Sequence, residues 1–248
     1  MSKGVVIVTG AGRGIGRSCA IMAAARGHAV VVNYASNAAA ADEVVAAITG
    51  AGGQAVAVKG DVAVEQDVLA IFAAADKLGT LAGLINNAGV VDQKSRVDQF
   101  SAARLTRMMA INVVGSILCA REAVRRMSTA HGGKGGTIVN MGSVASVLGS
   151  PNEFVDYAAS KGAIDSFTIG LAKEVAAEGI RVNAVRPGLI DTEIHASAGV
   201  PDRVERFRDL IPMKRGGSAD EVAAAVLWLM SDEASYTTGT TITVSGGR

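Results

Sequence analysis

The sequence predicts an α/β fold with a doubly wound, mostly parallel seven-stranded sheet and helices on both faces. Short apolar runs rich in β-branched residues recur along the chain, and their lack of strict alternation indicates strands buried on both faces. Alanine-rich helical stretches separate these runs. Such an alternation of strand and helix favours one parallel sheet joined by right-handed crossovers. The seven predicted strands cover residues 5–8, 29–32, 55–58, 81–85, 137–139, 180–185 and 241–244.

The predicted helices have glycine near their ends and connect the strands in order. They cover residues 14–26, 38–49, 65–77, 102–128, 155–178 and 219–230. No change in composition marks a linker between two parts of the chain. A length of 248 residues also fits one large α/β domain. We therefore expect a single domain over residues 1–248.

Composition and charge exclude several classes of function. The formal net charge is +1, which gives no basis for expecting a nucleic-acid partner. Cys19 and Cys119 are interpreted as buried thiols in a reducing compartment. We see no signal peptide, no uninterrupted apolar stretch of the ~18–20 residues that a membrane span needs, and no metal-ligand spacing. These observations predict a cytoplasmic protein without a membrane segment or a metal site.

A glycine-rich turn follows the first predicted strand and opens the first predicted helix. Glycine lets the backbone turn tightly and approach a ligand closely. Free N–H groups and the partial positive charge of a helix N-terminus favour a pyrophosphate. The turn therefore predicts a Rossmann-type dinucleotide site. A tight turn without a ligand is the alternative. The predicted cofactor contacts in the turn are Gly10, Arg13, Gly14, Ile15 and Gly16.

The end of the second predicted strand bears on the choice between NAD and NADP. An acidic residue about 20 residues after the turn usually binds the ribose 2′-hydroxyl of NAD. This sequence has Asn33 followed by Tyr34 there, so no carboxylate would repel a 2′-phosphate. Arg13 could pair with such a phosphate, and a solvated surface side chain is the alternative. We take Asn33 and Tyr34 as cofactor contacts, and the cofactor as NADP(H) in preference to NAD(H).

Tyr157 and Lys161 are four residues apart at the start of a predicted helix and so share one helical face. A free tyrosine has a pKa near ~10. A nearby ammonium is expected to lower that pKa and to suit the phenol to proton exchange with an alcohol or carbonyl. Ser143 follows the preceding strand, at the sheet edge where ligands bind in α/β folds. It could donate a hydrogen bond to a substrate oxygen, and a turn or N-cap hydroxyl is the alternative.

The order of these motifs resembles the short-chain dehydrogenase/reductase family, in its compact single-domain branch. The resemblance spans essentially the whole chain. Within the family, residues 149–157 are most similar to glucose-dehydrogenase-like members, and the chain also looks like acyl-carrier-protein reductases. The segments that carry the resemblance are the glycine turn, Asp61-Val62, Asn86-Asn87-Ala88-Gly89, Asn112, Ser143, Tyr157 with Lys161, Pro187-Gly188 and Ser245-Gly246-Gly247.

The resemblance implies roles for residues that the pattern alone leaves unassigned. Asn112 would help a water to link Lys161 to solvent, and Lys161 would also bond the nicotinamide ribose. The implied catalytic set is Asn112, Ser143, Tyr157 and Lys161. The further cofactor contacts that it implies are Asp61 and Val62 beside the adenine, Asn87, Ala88 and Gly89 along the cofactor, Pro187 and Gly188, Ile190 and Thr192 at the carboxamide, and Tyr157 and Lys161.

The resemblance also bears on the organisation of the molecule. Family members carry a mobile substrate lid after the position of Pro187, here residues 188–217. His195 lies in that segment and is interpreted as an exposed or capping side chain. The predicted helices 102–128 and 155–178 carry apolar residues on more than one face. Because family members pair these helices between subunits, we expect a homotetramer or homodimer.

Together these features predict an oxidoreductase that moves a hydride between NAD(P)(H) and an alcohol or carbonyl. In the reducing direction, Tyr157 would supply the proton and Ser143 would steady the substrate oxygen. A non-catalytic, NAD(P)-sensing binding protein on the same fold is one alternative, although such relatives usually lack the tyrosine or the lysine. A dehydratase or epimerase is another, although these often carry an extra C-terminal substrate domain. The sequence does not name the substrate.

Overall fold

The structure is a computed structural model that describes residues 3–193, 199–200 and 202–248. Seven strands lie within these residues and form one sheet in which every neighbouring pair is parallel. The strands are β1 Val5–Val8, β2 Ala29–Tyr34, β3 Gln54–Lys59, β4 Leu81–Asn86, β5 Gly136–Met141, β6 Ile180–Pro187 and β7 Thr241–Val244. Their order is β3-β2-β1-β4-β5-β6-β7. The doubly wound α/β fold is confirmed, and the sheet is wholly rather than mostly parallel.

The helices of the described residues connect the strands and agree closely with the predicted positions. They are α1 Gly14–Ala25, α2 Ala38–Gly50, α3 Glu65–Leu78, α4 Ala102–Met109, α5 Ser116–Met127, α6 Ala145–Leu148, α7 Val155–Val175, α8 Arg203–Phe207 and α9 Ala219–Leu229. The short helices α6 and α8 were not predicted, because four or five residues are too few for a periodic pattern to emerge.

The core lies on both faces of the sheet, as continuous apolar strands require. In β1, Val5 and Ile7 belong to one buried cluster, whereas Val6 and Val8 belong to the other. Successive side chains of a strand point to opposite faces, so a strand buried on both sides must be apolar throughout. This is why β1 has no alternation of apolar and polar residues.

One predicted helix is interrupted. The sequence predicts a continuous helix over residues 102–128, but a π-helical turn, Ala110–Gly115, separates α4 from α5. Within this turn, Asn112 is fully buried and its carbonyl oxygen accepts a hydrogen bond from the Ser116 hydroxyl at 3.1 Å. π-Helical turns occur frequently at functional sites. The prediction of an unbroken helix was wrong because helical periodicity does not register one extra residue in a turn.

The helical stretch Ala102–Met127 also bears on membrane insertion. An 18-residue segment of these 26 residues reaches a mean hydropathy of 1.2, so the stretch is long and apolar enough to cross a membrane. The sequence had been expected to contain no such stretch. Cys119, Ala120 and Ala123 on this stretch are buried in the core cluster beneath the sheet, as in the core helix of a globular protein, so the stretch is weak evidence for a span.

The strand order places a crevice at the carboxyl ends of β1 and β4. The chain runs outward from β1 to β3 and then returns to the opposite side of β1 with β4. Ligands of open α/β sheets bind outside the carboxyl ends of the strands, where the strand order reverses. The glycine turn follows β1 at this point, and residues 87–89 follow β4 beside it.

Candidate active site

The glycine turn leads directly into the N-terminus of α1. No described side chain caps α1, and its first turn contains no acidic residue. The first N–H groups of the helix therefore stay available for a ligand, and the helix dipole favours an anionic one. A pyrophosphate fits this arrangement.

The spaced glycines of the turn serve different purposes. Gly14 has a φ of +51°, a left-handed conformation that favours glycine. A Cβ on Gly16 would instead clash with the carbonyl oxygen of Gly10 and with the Asn87 amide. Gly14 therefore permits the backbone shape, whereas Gly16 permits the close approach of the helix to β1 and β4.

Asn87 and Thr9 join the ends of β1 and β4. The Asn87 side-chain amide donates to the carbonyl oxygens of Thr9 and Gly10 at 2.9 and 3.0 Å. The Thr9 hydroxyl accepts from the backbone N–H groups of Asn87 and Ala88. These bonds fix the two sides of the crevice relative to each other.

A cleft of about 570 Å³ runs along this crevice. That volume lies within the usual range for a small-molecule or cofactor site. Most of the predicted cofactor contacts line it. They are Gly10, Arg13, Gly14, Ile15, Gly16, Asn33, Tyr34, Asp61, Val62, Asn87, Ala88, Gly89 and Thr192.

Asn33 is used differently from what the sequence suggested. Its side chain is buried, accepts a hydrogen bond from the Gly10 N–H, and donates to the carbonyl oxygens of Val58 and Gly60. The side-chain oxygen and nitrogen of Asn33 are therefore both used, and they link the glycine turn to the end of β3. The sequence predicted Asn33 as a cofactor contact. The residue lines the cleft, but strand pairing turns its side-chain amide toward the neighbouring backbone, so a contact with the cofactor stays a prediction.

A second cavity, of about 590 Å³, adjoins the cleft, and Ile15, Asn87, Gly89 and Thr192 line both. Ser143, Tyr157 and Lys161 all line this cavity, as do Pro187, Gly188 and Ile190. The structure thus brings together three predicted catalytic residues from two separate segments of the chain. Asn112 is not among the residues that line either cavity.

Tyr157 is half-buried and hydrogen-bonded to Ser143. Burial raises the pKa of the phenol, and the hydrogen bond from Ser143 opposes this rise only in part. The sequence had led us to expect a pKa lowered by Lys161. That expectation is wrong for this arrangement because the ammonium of Lys161 donates to the Met141 carbonyl oxygen at 2.7 Å, and lies 5.7 Å from the centre of the Tyr157 ring.

Burial also acts on Lys161, since only 4% of the residue is exposed. It lowers the pKa of the ammonium to about 8, against an opposing contribution from Asp165 one helical turn away. Asp165 is itself paired with Arg186 at 2.9 Å. Lys161 is therefore mainly cationic at neutral pH and loses its proton under mildly alkaline conditions.

The Ser143 hydroxyl has contacts on two sides. Its oxygen accepts a hydrogen bond from the Ala145 N–H at 3.1 Å, as a turn hydroxyl does. The same hydroxyl is hydrogen-bonded to Tyr157 within the cavity. That it also donates to a substrate oxygen stays a prediction.

Asn112 does not line the cavity, but its side chain is hydrogen-bonded to residues next to those that do. Its amide donates to the Val90 carbonyl oxygen and to the Ser160 hydroxyl, and its side-chain oxygen accepts from the Val90 N–H. A Cβ on Gly89 would lie 3.4 Å from the Asn112 side-chain oxygen and 3.5 Å from the Lys161 ammonium. Asn112 thus positions the residues after β4 next to Lys161.

Several residues that line the two cavities were missed. Ser36 and Asn37 directly follow Tyr34 and could have been found by extending the second strand into its loop. The distant residues carry no signal in the sequence, because only packing brings them here. In the cofactor cleft the missed residues are Gly12, Ala35, Ser36, Asn37, Ala40, Gly60, Val90, Arg107, Ile111 and Glu193. In the second cavity the missed polar and aromatic residues are Lys94, Ser150, Asn152, Glu153, Phe154, Arg203, Phe207 and Arg248.

His195 lies outside the described residues. Within residues 3–193, 199–200 and 202–248, no group of three or more His, Cys, Asp or Glu side chains is arranged to hold a metal ion. Cys19 and Cys119 are buried free thiols, as expected. Burial raises the pKa of each thiol to about 12, which makes both unreactive at neutral pH.

The chain is similar to known proteins over nearly its whole length. Residues 10–248 match a family model described as enoyl-(acyl carrier protein) reductase. An uncharacterized oxidoreductase of Escherichia coli, YgfF, is 54% identical over 98% of this chain and 99% of its own length. Glucose 1-dehydrogenase 2 of Bacillus subtilis is 38% identical, over 97% and 93% respectively.

A solved structure agrees with these sequence relatives. The crystal structure of a dehydrogenase/reductase from Sinorhizobium meliloti superimposes with a TM-score of 0.92 at 31% identity, and the match covers 100% of this chain and 95% of that one. The family match, the relatives and the seven-stranded parallel fold agree, and the chain belongs to the short-chain dehydrogenase/reductase family of oxidoreductases.

Proposed function

We propose that this protein is an NAD(P)(H)-dependent oxidoreductase that interconverts an alcohol and a carbonyl compound. The observation that carries the proposal is that Ser143, Tyr157 and Lys161 line one cavity, which adjoins the glycine cleft. The side chains that could exchange a proton with the substrate thus lie next to the cleft that would hold the cofactor. Hydride transfer requires this arrangement, because substrate and nicotinamide must be in contact.

The glycine turn, Asp61 and the residues after β4 would hold the dinucleotide, with its pyrophosphate at the N-terminus of α1. When bound, the nicotinamide ring would supply or accept the hydride. Pro187, Gly188, Ile190 and Thr192 would enclose its carboxamide end.

The protein's own residues would control the proton. Because burial raises the pKa of Tyr157 above that of free tyrosine, the phenol stays protonated at neutral pH. It can therefore donate a proton to a carbonyl oxygen that becomes an alcohol. Ser143 would hold that oxygen, and Lys161 would bond the nicotinamide ribose.

Arg13 supports a preference for NADP(H). It is exposed, lines the cleft, and stands at the N-cap of α1. A guanidinium there would attract a 2′-phosphate, and neither Asn33 nor Tyr34 would repel it.

Exposed apolar side chains on two helical stretches support an oligomer. Leu105, Met109, Val114 and Ile117 are apolar yet exposed on α4, the π-helical turn and α5, and Ile169 is exposed on α7. Burying them against a second copy would remove apolar surface from water. We expect a homotetramer or homodimer, and light scattering measures this state. We also expect the protein to be cytoplasmic and residues 188–217 to act as a substrate lid in each subunit.

The test is a turnover assay on sugars, steroids, acyl thioesters and simple ketones with each cofactor. The named dehydrogenases among the relatives include one for glucose and one for 3β-hydroxysteroids. These support the reaction class and leave the substrate open. Ser143→Ala should lower turnover of any substrate found, with little change in cofactor affinity. An NAD(P)-sensing protein without turnover is the outcome that contradicts the proposal.

A further inference from the structure

Three cationic side chains gather around one carboxylate at the far end of the substrate cavity. Lys94, Arg203 and Arg248 line the cavity, and Glu153 is the carboxylate among its described lining residues. Lys94 and Arg203 both pair with Glu153, at 3.2 and 2.7 Å. The cluster therefore holds an excess of positive charge within an otherwise mostly apolar cavity.

Arg203 is held rigidly but its hydrogen bonding is incomplete. Its guanidinium stacks over the rings of Phe154 and Phe207, at 5.0 and 5.1 Å from their centres. Its Nη2 atom pairs with Glu153, whereas Nη1 is buried without a hydrogen-bond partner among the described residues. A buried donor without a partner costs free energy, so the hydrogen bonding of the Arg203 guanidinium is incomplete in this arrangement.

Arg248 brings a second guanidinium to the same place. It stacks over Phe207 at 5.4 Å, on the ring that Arg203 also contacts. Burial lowers the pKa of Arg248, and the positive charge of Arg203 lowers it further. Two guanidinium groups that repel each other in a partly buried site are an arrangement that an oxyanion would relieve.

Glu153 does not neutralise the cluster. Burial acts to raise its pKa, but hydrogen bonds from Arg203 and Lys94 outweigh burial and lower the pKa overall. The carboxylate is therefore ionised and is shared between two cations, which leaves Arg248 without an ion pair among the described residues.

The cluster lies one layer of side chains from the reacting groups. Phe154, over which Arg203 stacks, packs in a small apolar cluster with Tyr157, Val91 and Val200. The cavity is therefore lined by Tyr157 and Ser143, by the apolar cluster around Phe154, and by the cations on the other side of Phe154.

We propose that Arg203 and Arg248 form an oxyanion subsite, and that the substrate is a carbonyl or alcohol compound with a carboxylate or phosphate ester separated from the reacting carbon by an apolar segment. This inference rests on the proposed function, because it assigns the substrate class of the same cavity.

The test uses pairs of compounds that differ only in charge. Medium-chain oxo carboxylates are compared with their methyl esters and with the corresponding oxoalkyl phosphates, using the wild-type protein and the better cofactor. We expect kcat/KM to be about tenfold or more higher for an anionic compound than for its matched ester, the effect of one charge-assisted hydrogen bond. The better of the two anions identifies which oxyanion the subsite takes.

Variants assign that preference to the cluster. Arg203→Gln and Arg248→Gln should each lower the ratio of kcat/KM for acid over ester about tenfold, mainly through KM. Glu153→Gln should raise the ratio, because it removes the opposing carboxylate. The matched control is Arg206→Gln, since Arg206 also stacks on Phe207, at 5.8 Å, but does not line the cavity. Its ratio should equal that of the wild type.

The outcomes separate the two proposals. If esters are turned over as fast as acids, or if Arg248→Gln lowers both rates equally, the oxyanion subsite is wrong while the oxidoreductase proposal stands. If none of these compounds is turned over but a sugar, steroid, acyl thioester or simple ketone is, the oxyanion subsite is wrong and the oxidoreductase proposal stands. If no compound of either set is turned over, the oxidoreductase proposal fails, and calorimetric binding of the oxo carboxylate to wild type and Arg248→Gln in the presence of cofactor judges the subsite alone. Should Arg203→Gln fail to fold, Arg248→Gln and Glu153→Gln carry the test.

Discussion

The cofactor cleft and the far end of the substrate cavity are built in opposite ways. The cleft is formed largely by backbone and small residues from short contiguous segments, chiefly the glycine turn and residues 87–89. The far end of the cavity is formed by long charged and aromatic side chains, and its cations come from three distant positions, Lys94, Arg203 and Arg248. We propose that the first region binds an anion through backbone N–H groups and that the second binds one through guanidinium groups.

This difference has consequences for how each region tolerates change. Backbone donors are provided by the fold, so only substitutions that disturb the turn can remove them. Side-chain donors can be replaced one at a time without affecting the sheet. The cleft should therefore be sensitive to backbone strain, whereas the substrate cavity should respond to individual functional groups.

The largest expected effect lies where the two regions meet. Tyr157→Phe keeps the ring and removes the phenolic proton, so turnover should fall by ~10²–10⁴-fold, the usual loss when general acid–base catalysis is removed. Cofactor affinity, measured by fluorescence titration, should be unchanged. Tyr236→Phe is the control, because Tyr236 is fully exposed. Near-wild-type turnover in Tyr157→Phe would show that the catalytic helix has been misassigned.

The second prediction tests backbone control of the cleft. Gly14→Val should abolish measurable NAD(P)H binding, because a Cβ is strained at a φ of +51° and intrudes on the phosphate approach. Gly52→Val is a matched control, since Gly52 has a φ of +82° but open space around it. Both variants carry backbone strain, and only Gly14→Val should lose the cofactor. Equal cofactor affinities in the two variants would contradict the prediction.

The third prediction concerns Asn33, which belongs to the cleft but acts through its side chain. Asn33→Asp removes both donors to the Val58 and Gly60 carbonyl oxygens, so the free energy of unfolding should fall by about 1–3 kcal/mol. The affinities for NADP and NAD should weaken by the same factor. Asn37→Asp, at the exposed N-cap of α2, is the control for stability and should leave the free energy of unfolding nearly unchanged. A selective shift toward NAD in Asn33→Asp would instead show that the residue reads the ribose.

The fourth prediction uses the pKa of Lys161. Because that pKa is about 8, the ammonium is present below pH 8 and is lost above it. In the reducing direction, kcat/KM for the cofactor should fall up to tenfold per pH unit above that value, while the raised pKa keeps Tyr157 protonated. Lys161→Arg should move the fall to higher pH, since arginine stays charged. The same pH profile in both proteins would exclude Lys161 as the titrating group.

The smallest expected effect is at the exposed rim of the cleft. Arg13→Gln should weaken NADP binding about twofold to fivefold and leave NAD binding nearly unchanged, because an exposed charge pair contributes roughly 1 kcal/mol or less. The measurement is the ratio of the two dissociation constants at low and at physiological salt. Arg17→Gln, on the same helix but not lining the cleft, is the control. Wild-type protein that already binds NAD more tightly would refute the NADP preference.

The sequence by itself determined the features that depend on neighbouring residues. Strands buried on both faces appear as continuous apolar runs, the glycine turn lies between its strand and helix, and Tyr157 and Lys161 lie one helical turn apart. Each of these is a property of local geometry, so the fold class and a cleft beside the glycine turn could be predicted without packing. That this cleft binds the cofactor stays a prediction.

Only the tertiary structure decided where side chains from distant segments point. Pairing with β3 turns the Asn33 amide into the backbone, and burial directs the Lys161 ammonium to the Met141 carbonyl oxygen. The fold also brings Lys94, Glu153, Arg203 and Arg248 together. These contacts depend on which strands and helices pack together, and burial then sets the pKa of each group. No local sequence pattern encodes the direction of these side chains or the pKa of their groups, because both depend on atoms far away along the chain.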